Sequence, residues 1–561
     1  MPTTSRRHST TFALTLVALL LPAVTAIAEP MLVMQDMAPP LDAQAPPGQL
    51  RGMLQLRTPD ALQLDVQRDD YGFAADRQLA LDRLPDIQAA YLQVGGELVP
   101  LQRGLQSTAH PHWDLILEPG RIWRDSEGRD HFSLPFALQE KNANCTHNGV
   151  IRATLAGEGK PFPARVLIAS ETCLYFKFNL EGPAEGSFQR TALAGAERIA
   201  SDHRRHRAAR LPTRPLQQLP QPSALSGPGA DLSAWGLVDG DSHYVSDCPT
   251  RRGPYPHCDN LSLPSYSLAK SLVAGLGLMR LEQRFPGSSE QTIASLVPEC
   301  ASAGHWRQTT LVDTLNMRTG HYHSAAAQAD ESSARMEEGF FLPLRHIDKL
   351  RFACRGWPAR GQPGGQFVYH TSDTYLLGTA MTALLQKQHG AKADLYRDLL
   401  LPLWRQLDLS PALDTTRRTA DTAAQPFAGY GLTLLRDDIA RIGQALNRDT
   451  LAPQLDRRLL LQALQRDPAA RGYHPAEADE LYYQHGFWGF DATRLLSCPG
   501  QLVIPFLSGY GGINVLLLPD DRIYYYFSDG GQFAFTDALR WLHRQRDLCP
   551  TTTSPNPGTS S

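Results

Sequence analysis

The segment "LPSYSLAKSLVAGL", residues 263–276, places a serine three residues before a lysine at the start of an apolar run. Leu268, Leu272 and Leu276 recur every four residues, which predicts a helix that begins near Ser267. Residues three apart lie on one face of a helix, about 5 to 6 Å from each other. We therefore regard Ser267 and Lys270 as a candidate nucleophile and its base.

The chemistry of such a pair depends on the surroundings of the lysine. A serine hydroxyl is a weak nucleophile, and a lysine of ordinary pKa is protonated and cannot accept its proton. Burial or nearby positive charge must keep Lys270 neutral, and a helix N-terminus adds some positive field. The chain has only seven lysines. Even so, a chain of this composition is expected to contain roughly 0.5 S-x-x-K matches by chance alone. The pair alone leaves open an exposed serine and lysine on a helix surface.

Four further segments follow the pair in a recognisable order. The five segments are "SYSLAKS" (265–271), "LVDTLNMRTGHY" (311–322), "PGGQFVYHTSDTYLLG" (363–378), "AGYGLTLLRDDIARIG" (428–443) and "SGYGGINVLLLPDDRIYYYFSDG" (508–530). Together they resemble successive motifs of the serine β-lactamase-like hydrolases, the superfamily of class C β-lactamases and penicillin-binding proteins. The resemblance is greatest to the branch of esterases and nylon-oligomer hydrolases, and it covers about residues 235–545.

The resemblance implies a fold and a set of roles. The fold is α+β: a β-lactamase/transpeptidase-like domain, with an antiparallel sheet flanked by helices and an all-helical lobe. Ser267 would be acylated, Lys270 would be the general base, and Tyr369 would shuttle a proton to the leaving group. That role requires positive charge to lower the pKa of Tyr369 from about 10. The backbone N–H groups of Ser267 and of Tyr510 or Gly511 would form the oxyanion hole. No cofactor or metal is implied.

Two motifs depart from the pattern of the family. Tyr369-His370-Thr371 has threonine where asparagine is common, so Thr371 keeps a hydroxyl that can donate one hydrogen bond. His370 is either functional, because it tunes Tyr369 or replaces the missing asparagine as a donor, or it is a packing residue. The third motif begins at Ser508 and contains no lysine or arginine through residue 512. A substrate carboxylate would lose a charge-assisted bond of about 1.5–3 kcal/mol there.

We therefore expect an exported serine hydrolase that cleaves a small-molecule or oligomeric ester or amide without an essential carboxylate. A penicillin-recognising D,D-peptidase or β-lactamase remains an alternative, because arginine from elsewhere would restore the charge. A non-catalytic envelope-binding protein on the same scaffold is a second alternative, and the joint presence of serine, lysine and tyrosine argues against it. In "YYQHGFWGF" (482–490), Tyr483, His485 and Trp488 are either core residues or walls of the pocket.

The N-terminus has the pattern of a secretory signal over residues 1–28. Arg6 and Arg7 precede the apolar run "FALTLVALLLPAV", and small residues follow at Ala26 and Ala28. We expect a periplasmic or extracellular protein without a transmembrane anchor, since no later segment approaches about 20 apolar residues. A proline-rich leader is expected at 29–49 and a disordered tail at 550–561.

Between these ends we expect two folded units. Alternating runs such as "MLQLRT" and "LQLDVQ" predict a β-rich domain over residues 50–198, whose partner the sequence does not identify. Prolines and arginines predict a linker over 199–230, and the hydrolase domain follows at 231–549. A net charge of -3 gives no reason to expect nucleic-acid binding.

Export affects the interpretation of the eight cysteines, because an oxidising compartment lets them pair. Eight cysteines allow 105 pairings. We hypothesise the sequential one, which keeps each bridge within one predicted unit: Cys145–Cys173, Cys248–Cys258, Cys300–Cys354 and Cys498–Cys549. The sequence has no C-x-x-C pair, so a metal site is not expected.

Overall fold

Two large sheets carry most of the strands in the computed structural model. It describes residues 31–58, 62–75, 83–226, 231–326, 328–475, 478–533 and 535–550. The expected signal segment, and the expected tail beyond residue 550, lie outside the described residues. The described chain from Val33 onward belongs to one compact unit.

The strands are numbered β1 to β23. They are β1 Arg51–Arg57, β2 Gln63–Asp69, β3 Ile87–Val94, β4 Glu97–Pro100, β5 Gly104–Gln106, β6 Trp113–Leu117, β7 Gly120–Arg124, β8 Asp130–Glu140, β9 Thr146–Thr154, β10 Pro161–Thr172, β11 Phe176–Arg190, β12 Thr213–Pro215, β13 Leu232–Asp239, β14 Ser242–Val245, β15 Pro249–Thr250, β16 Gly253–Pro254, β17 Leu263–Pro264, β18 Thr433–Leu434, β19 Leu481–Gln484, β20 Phe487–Asp491, β21 Val503–Gly509, β22 Ile513–Leu517 and β23 Ile523–Ser528.

The α-helices are numbered α1 to α13. They are α1 Met34–Met37, α2 Ala196–Ala209, α3 Leu276–Arg284, α4 Ile293–Leu296, α5 Leu311–Leu315, α6 Ala334–Met336, α7 His346–Arg355, α8 Thr371–His389, α9 Leu401–Gln406, α10 Arg436–Asn447, α11 Arg457–Ala463, α12 Thr493–Leu496 and α13 Thr536–Gln545. Wider π-helical turns occupy Lys270–Gly275, Glu337–Phe341 and Leu395–Leu400. Short 3₁₀ turns include Leu216–Gln218, Pro222–Leu225, Cys258–Asn260, Pro298–Cys300, Pro411–Asp414 and Ala452–Gln454.

The first sheet contains β1 to β11 and is antiparallel in each of its pairings. The strand order runs β8-β7-β4-β3-β1-β11-β10-β9, and β9 pairs again with β8, so this part of the sheet closes on itself. Alternate residues such as Leu54 and Leu56 of β1 point into the shared core with Phe132 and Phe136 of β8. Each such side chain contributes about 1.5–3 kcal/mol on burial.

The second sheet has the order β12-β14-β13-β23-β22-β21-β20-β19. Its central strands "INVLL" and "IYYYFS" are buried along their whole length because helices cover both faces. Tyr524 packs in one cluster with Trp541 of α13, whereas Ile523 meets Gly443 of α10 on the opposite face. With α8 packed against α5 and α7, this arrangement confirms the expected α+β class.

The segment expected as a linker is more regular than its sequence indicates. Residues 196–209 form α2, whose Ala196 and Ala200 pack against Leu92 of the first sheet, and β12 joins the second sheet beside β14. The apolar contact of α2 is small, with Ala196, Ile199 and Ala200 among charged residues, so the arginine-rich sequence hides the helical period.

The four disulfides have the sequential pairing that we hypothesised: Cys145–Cys173, Cys248–Cys258, Cys300–Cys354 and Cys498–Cys549. Such a set is typical of proteins outside the reducing cytosol. Within the described ranges, no helix is both long and apolar enough to cross a membrane.

Candidate active site

The candidate nucleophile Ser267 lies in a tight turn between β17 and a helix. The Leu268 N–H donates to the Ser265 carbonyl at 3.0 Å and the Lys270 N–H to the Ser267 carbonyl at 2.9 Å, which starts the helix that continues into α3. Tyr266 has a φ of +40°, a conformation that costs a non-glycine residue about 1–3 kcal/mol. The turn leaves Ser267 partly exposed while its neighbours are buried.

The Lys270 amine lies among three oxygen atoms. Its Nζ is 2.8 Å from Ser267 Oγ, 2.7 Å from Thr371 Oγ1 and 3.4 Å from the Gly429 carbonyl oxygen. The side chain is 1% exposed. Burial lowers the pKa of Lys270 to about 8, although the negative charge of Glu331 opposes this shift. Roughly one molecule in ten therefore carries neutral Lys270 at pH 7.

Glu331, which our sequence reasoning missed, determines where the hydrogen of Thr371 points. One oxygen of its carboxylate accepts the Thr371 backbone N–H at 2.8 Å, and the other accepts the Thr371 hydroxyl. The negative charge also lies at the first residue of α8, where the helix dipole favours it. We expected Thr371 to donate its hydroxyl hydrogen to substrate, but that hydrogen is directed to Glu331.

This arrangement defines the hydrogen bonds of a neutral Lys270. The Thr371 hydroxyl, committed to Glu331, can only accept from the amine, and the Gly429 carbonyl can also only accept. Two amine hydrogens then serve these two oxygens. The remaining lone pair faces Ser267 Oγ, which is the direction a general base requires.

Tyr369 is placed beside the pair, and its pKa does not meet the condition that we set for the shuttle role. Lys270 Nζ lies 4.7 Å from the centre of the Tyr369 ring. Burial, together with the charge of Glu331, raises the pKa of Tyr369 well above 10, although a hydrogen bond with Ser267 acts in the opposite direction. Burial is the largest cause of this shift, so the lowered pKa on which we made the shuttle role depend is not found. Tyr369 is a neutral phenol that can donate a proton.

His370 lies in the interior and not at the cleft. Its ring stacks on Trp357 at 4.8 Å and is flanked by Asp330 at 3.1 Å and Asp373 at 3.5 Å. Despite burial, hydrogen bonds to these carboxylates raise its pKa to about 9. Of the two roles considered, the placement favours packing, and His370 is not positioned as a substrate donor. Its contact with Asp330 anchors the residue next to Glu331.

The third motif ends close to the nucleophile turn. A side-chain carbon at Gly509 would lie 2.9 Å from the Ser265 carbonyl oxygen, so only glycine permits this approach of β21. Ser508 pairs with Asn514 across the strands and is partly exposed. Tyr510 is 47% exposed, and its ring lies 5.7 Å from that of Tyr266. Gly511 has a φ of +90°, which favours glycine in this turn.

The aromatic residues of the 482–490 segment divide between core and wall. Tyr483 and His485 are buried, whereas Trp488 is partly exposed and stacks on Tyr369 at 6.1 Å. Trp488 therefore suits a pocket wall, and Tyr483 packs behind it at 5.0 Å.

The described residues contain two close groups of potential metal ligands, and neither group is suited to bind an ion. Cys145 and Cys173 lie near His147, and Cys549 lies near His543 and Asp547. Each of these cysteines belongs to a disulfide and has no thiolate to offer.

Three of the solved structures similar to this chain match it over more than half of its length. One is assigned as a 6-aminohexanoate-dimer hydrolase from Bacillus anthracis, with 15% identity and a TM-score of 0.44 over 59% of this chain and 83% of that one. Another is a class C β-lactamase, with 13% identity and a TM-score of 0.39 over 55% of this chain and 89% of the other. A mutant class C β-lactamase has 13% identity and a TM-score of 0.38 over 55% of this chain and 90% of that one. No protein-family model and no curated protein matches the chain.

Proposed function

We propose that the protein is an exported serine hydrolase that cleaves an ester or amide through an acyl-enzyme on Ser267. The observation that carries this proposal is the buried Lys270 amine, 2.8 Å from Ser267 Oγ, with acceptors at its other two contacts. A lysine in this setting is a base for the serine proton and not a surface charge.

Acylation follows from these contacts. Ser267 Oγ attacks the substrate carbonyl carbon while its proton passes to Lys270 Nζ, and the carbonyl oxygen becomes an oxyanion. The backbone N–H groups of Ser267 and of Tyr510 or Gly511 would stabilise that charge. When the intermediate collapses, the bond to the leaving alcohol or amine breaks. The leaving group takes a proton from the neutral Tyr369 phenol while the phenol takes one from protonated Lys270, so that no free phenolate forms and a lowered pKa is not needed.

Deacylation repeats the same steps with water. Neutral Lys270 accepts a proton from a water molecule that attacks the acyl carbon, and the second tetrahedral intermediate returns the proton to Ser267 Oγ as the carboxylic acid leaves. No step needs a metal or an organic cofactor.

The composition of the cleft supports a substrate with an apolar part. Tyr510, which is 47% exposed beside Tyr266, and the partly exposed Trp488, which stacks on Tyr369, offer aromatic surface near the proposed site. The third motif supplies no cation for a carboxylate. We therefore favour neutral esters or amides over β-lactams.

A fluorophosphonate probe tests the proposal, because it reacts with activated serines. We expect labelling of the wild-type protein at Ser267, loss of labelling in Ser267→Ala, and a rate at least about 100-fold lower in Lys270→Ala. Circular dichroism of both variants checks that they fold. Equal labelling of wild type and Ser267→Ala would refute the proposed nucleophile.

A further inference from the structure

Residues of the first sheet contact the nucleophile turn directly. The connection between β8 and β9, residues 141–145, reaches the turn at Asn144, which is 1% exposed. Asn144 Oδ1 accepts the backbone N–H of Tyr266 at 2.8 Å and that of Gly431 at 2.8 Å. Its amide group donates to the Leu432 carbonyl at 3.3 Å. One side chain thus joins the residue before Ser267 to the segment that carries Gly429.

A second contact from the same sheet holds the other end of Tyr266. The Tyr266 hydroxyl donates to the Thr172 carbonyl at 3.3 Å, at the end of β10. Both the backbone and the phenol of the strained Tyr266 are therefore bound by the first sheet. A left-handed conformation at a non-glycine residue persists only where the surroundings impose it.

A disulfide links these two contact points. Cys145 follows Asn144, Cys173 follows Thr172, and the two cysteines are bonded to each other. The Cα atoms are 4.8 Å apart, so the two chain segments that hold Tyr266 are fixed relative to each other. We call Asn144, Thr172 and this disulfide the clamp.

We propose that the clamp of the β-rich domain positions the active site, with Asn144 as the residue that sets the nucleophile turn relative to Lys270. The inference rests on the proposed function, since it assigns the first domain a role in that same reaction. Asn144 does not touch the reacting atoms and acts through Tyr266 and Gly431. Without the Asn144 side chain, the nucleophile turn and the segment that carries Gly429 are no longer joined through one hydrogen-bond acceptor. Ser267 Oγ then loses its alignment with the lysine lone pair.

Asn148 provides a matched control on the neighbouring strand. It is also 1% exposed, and it also binds the backbone of the second part of the chain, where its amide group exchanges two 3.0 Å hydrogen bonds with Ser262. Ser262 lies five residues before Ser267 and outside the turn. Asn148→Ala therefore disturbs the same interface without releasing Tyr266.

The test measures fluorophosphonate labelling of the full-length protein over a range of probe concentrations. For Asn144→Ala we expect the maximal labelling rate to fall about 100-fold while the probe concentration for half-maximal rate is unchanged. Asn144→Asp, which keeps the acceptor for both N–H groups, should recover most of the rate. Asn148→Ala should lose a similar amount of thermal stability but label at close to the wild-type rate.

The outcomes distinguish a failure of the clamp from a failure of the proposed function. An Asn144→Ala rate equal to wild type, or an equal rate loss in Asn148→Ala, overturns the clamp while the proposed function stands. If wild-type protein is not labelled at Ser267, both fail. Should Asn144→Ala not fold, Asn144→Asp decides in its place, and a loss of rate by about 100-fold in that variant would overturn the inference.

Discussion

At Glu331, one carboxylate sets both the orientation of a hydroxyl and part of the charge acting on the base. Its oxygens hold the Thr371 hydroxyl and backbone, and its charge raises the pKa of Lys270 against the effect of burial. The two effects are separable. Glutamine keeps an oxygen acceptor for Thr371 but removes the charge, whereas alanine removes both.

For Glu331→Gln we predict that the labelling rate rises with pH at lower pH values than in wild type. In wild type the rate should increase as Lys270 loses its proton, with a midpoint near its pKa of about 8. Removal of the nearby negative charge lowers the pKa further, so the midpoint moves below 8. The measurement is the labelling rate from pH 6 to 10, with the exposed Glu338→Gln as a control that leaves the midpoint in place. A midpoint shifted upward would contradict the assignment of Lys270 as the titrating base.

At the scale of elements, the clamp predicts unequal effects of two disulfides. Cys145 and Cys173 close a loop of 28 residues, whose removal should cost about 3–4 kcal/mol of unfolding free energy. Cys498 and Cys549 close one of 51 residues, with a similar expected cost. We expect Cys145→Ala/Cys173→Ala to slow labelling at least about tenfold at a temperature where both double variants remain folded. Cys498→Ala/Cys549→Ala should label normally. Equal rates in the two would show that the loss is one of stability alone.

The elements also show which parts of the site a sequence can predict. Lys270 lies three residues after Ser267, in the helix that starts at the nucleophile turn, so their contact follows from local spacing. Glu331 meets Thr371 across 40 residues and Asn144 meets Tyr266 across 122, and no spacing rule connects them. The raised pKa of Tyr369 could not be predicted from the sequence either, because it depends on burial, which only tertiary packing creates. The helix α2 was also not predicted from its Pro- and Arg-rich segment, since only Ala196, Ile199 and Ala200 of α2 belong to the apolar cluster with Leu92.

For the whole molecule, the buried polar contacts between the first sheet and loops of the second part of the chain predict cooperative unfolding. The Arg417 guanidinium binds Asp114 and donates to Gln139 Oε1 at 2.7 Å, and the Tyr255 hydroxyl donates to the Gly149 carbonyl at 2.9 Å. Separating the first sheet from these loops would break the contacts, at a cost of about 1–3 kcal/mol for each buried group left unpaired. We expect one calorimetric transition, which Arg417→Leu shifts to lower temperature without splitting. Two transitions in the wild-type protein would contradict this prediction.

The position of the Cys145–Cys173 bridge has a consequence for when the protein acts. The bridge joins the two points that hold Tyr266, and it forms only under oxidising conditions. A chain in which Cys145 and Cys173 are still reduced would carry every reactive group but lack their final alignment. On the proposed function, such a chain would react at least about tenfold more slowly than the oxidised one, so formation of the bridge would itself raise the activity.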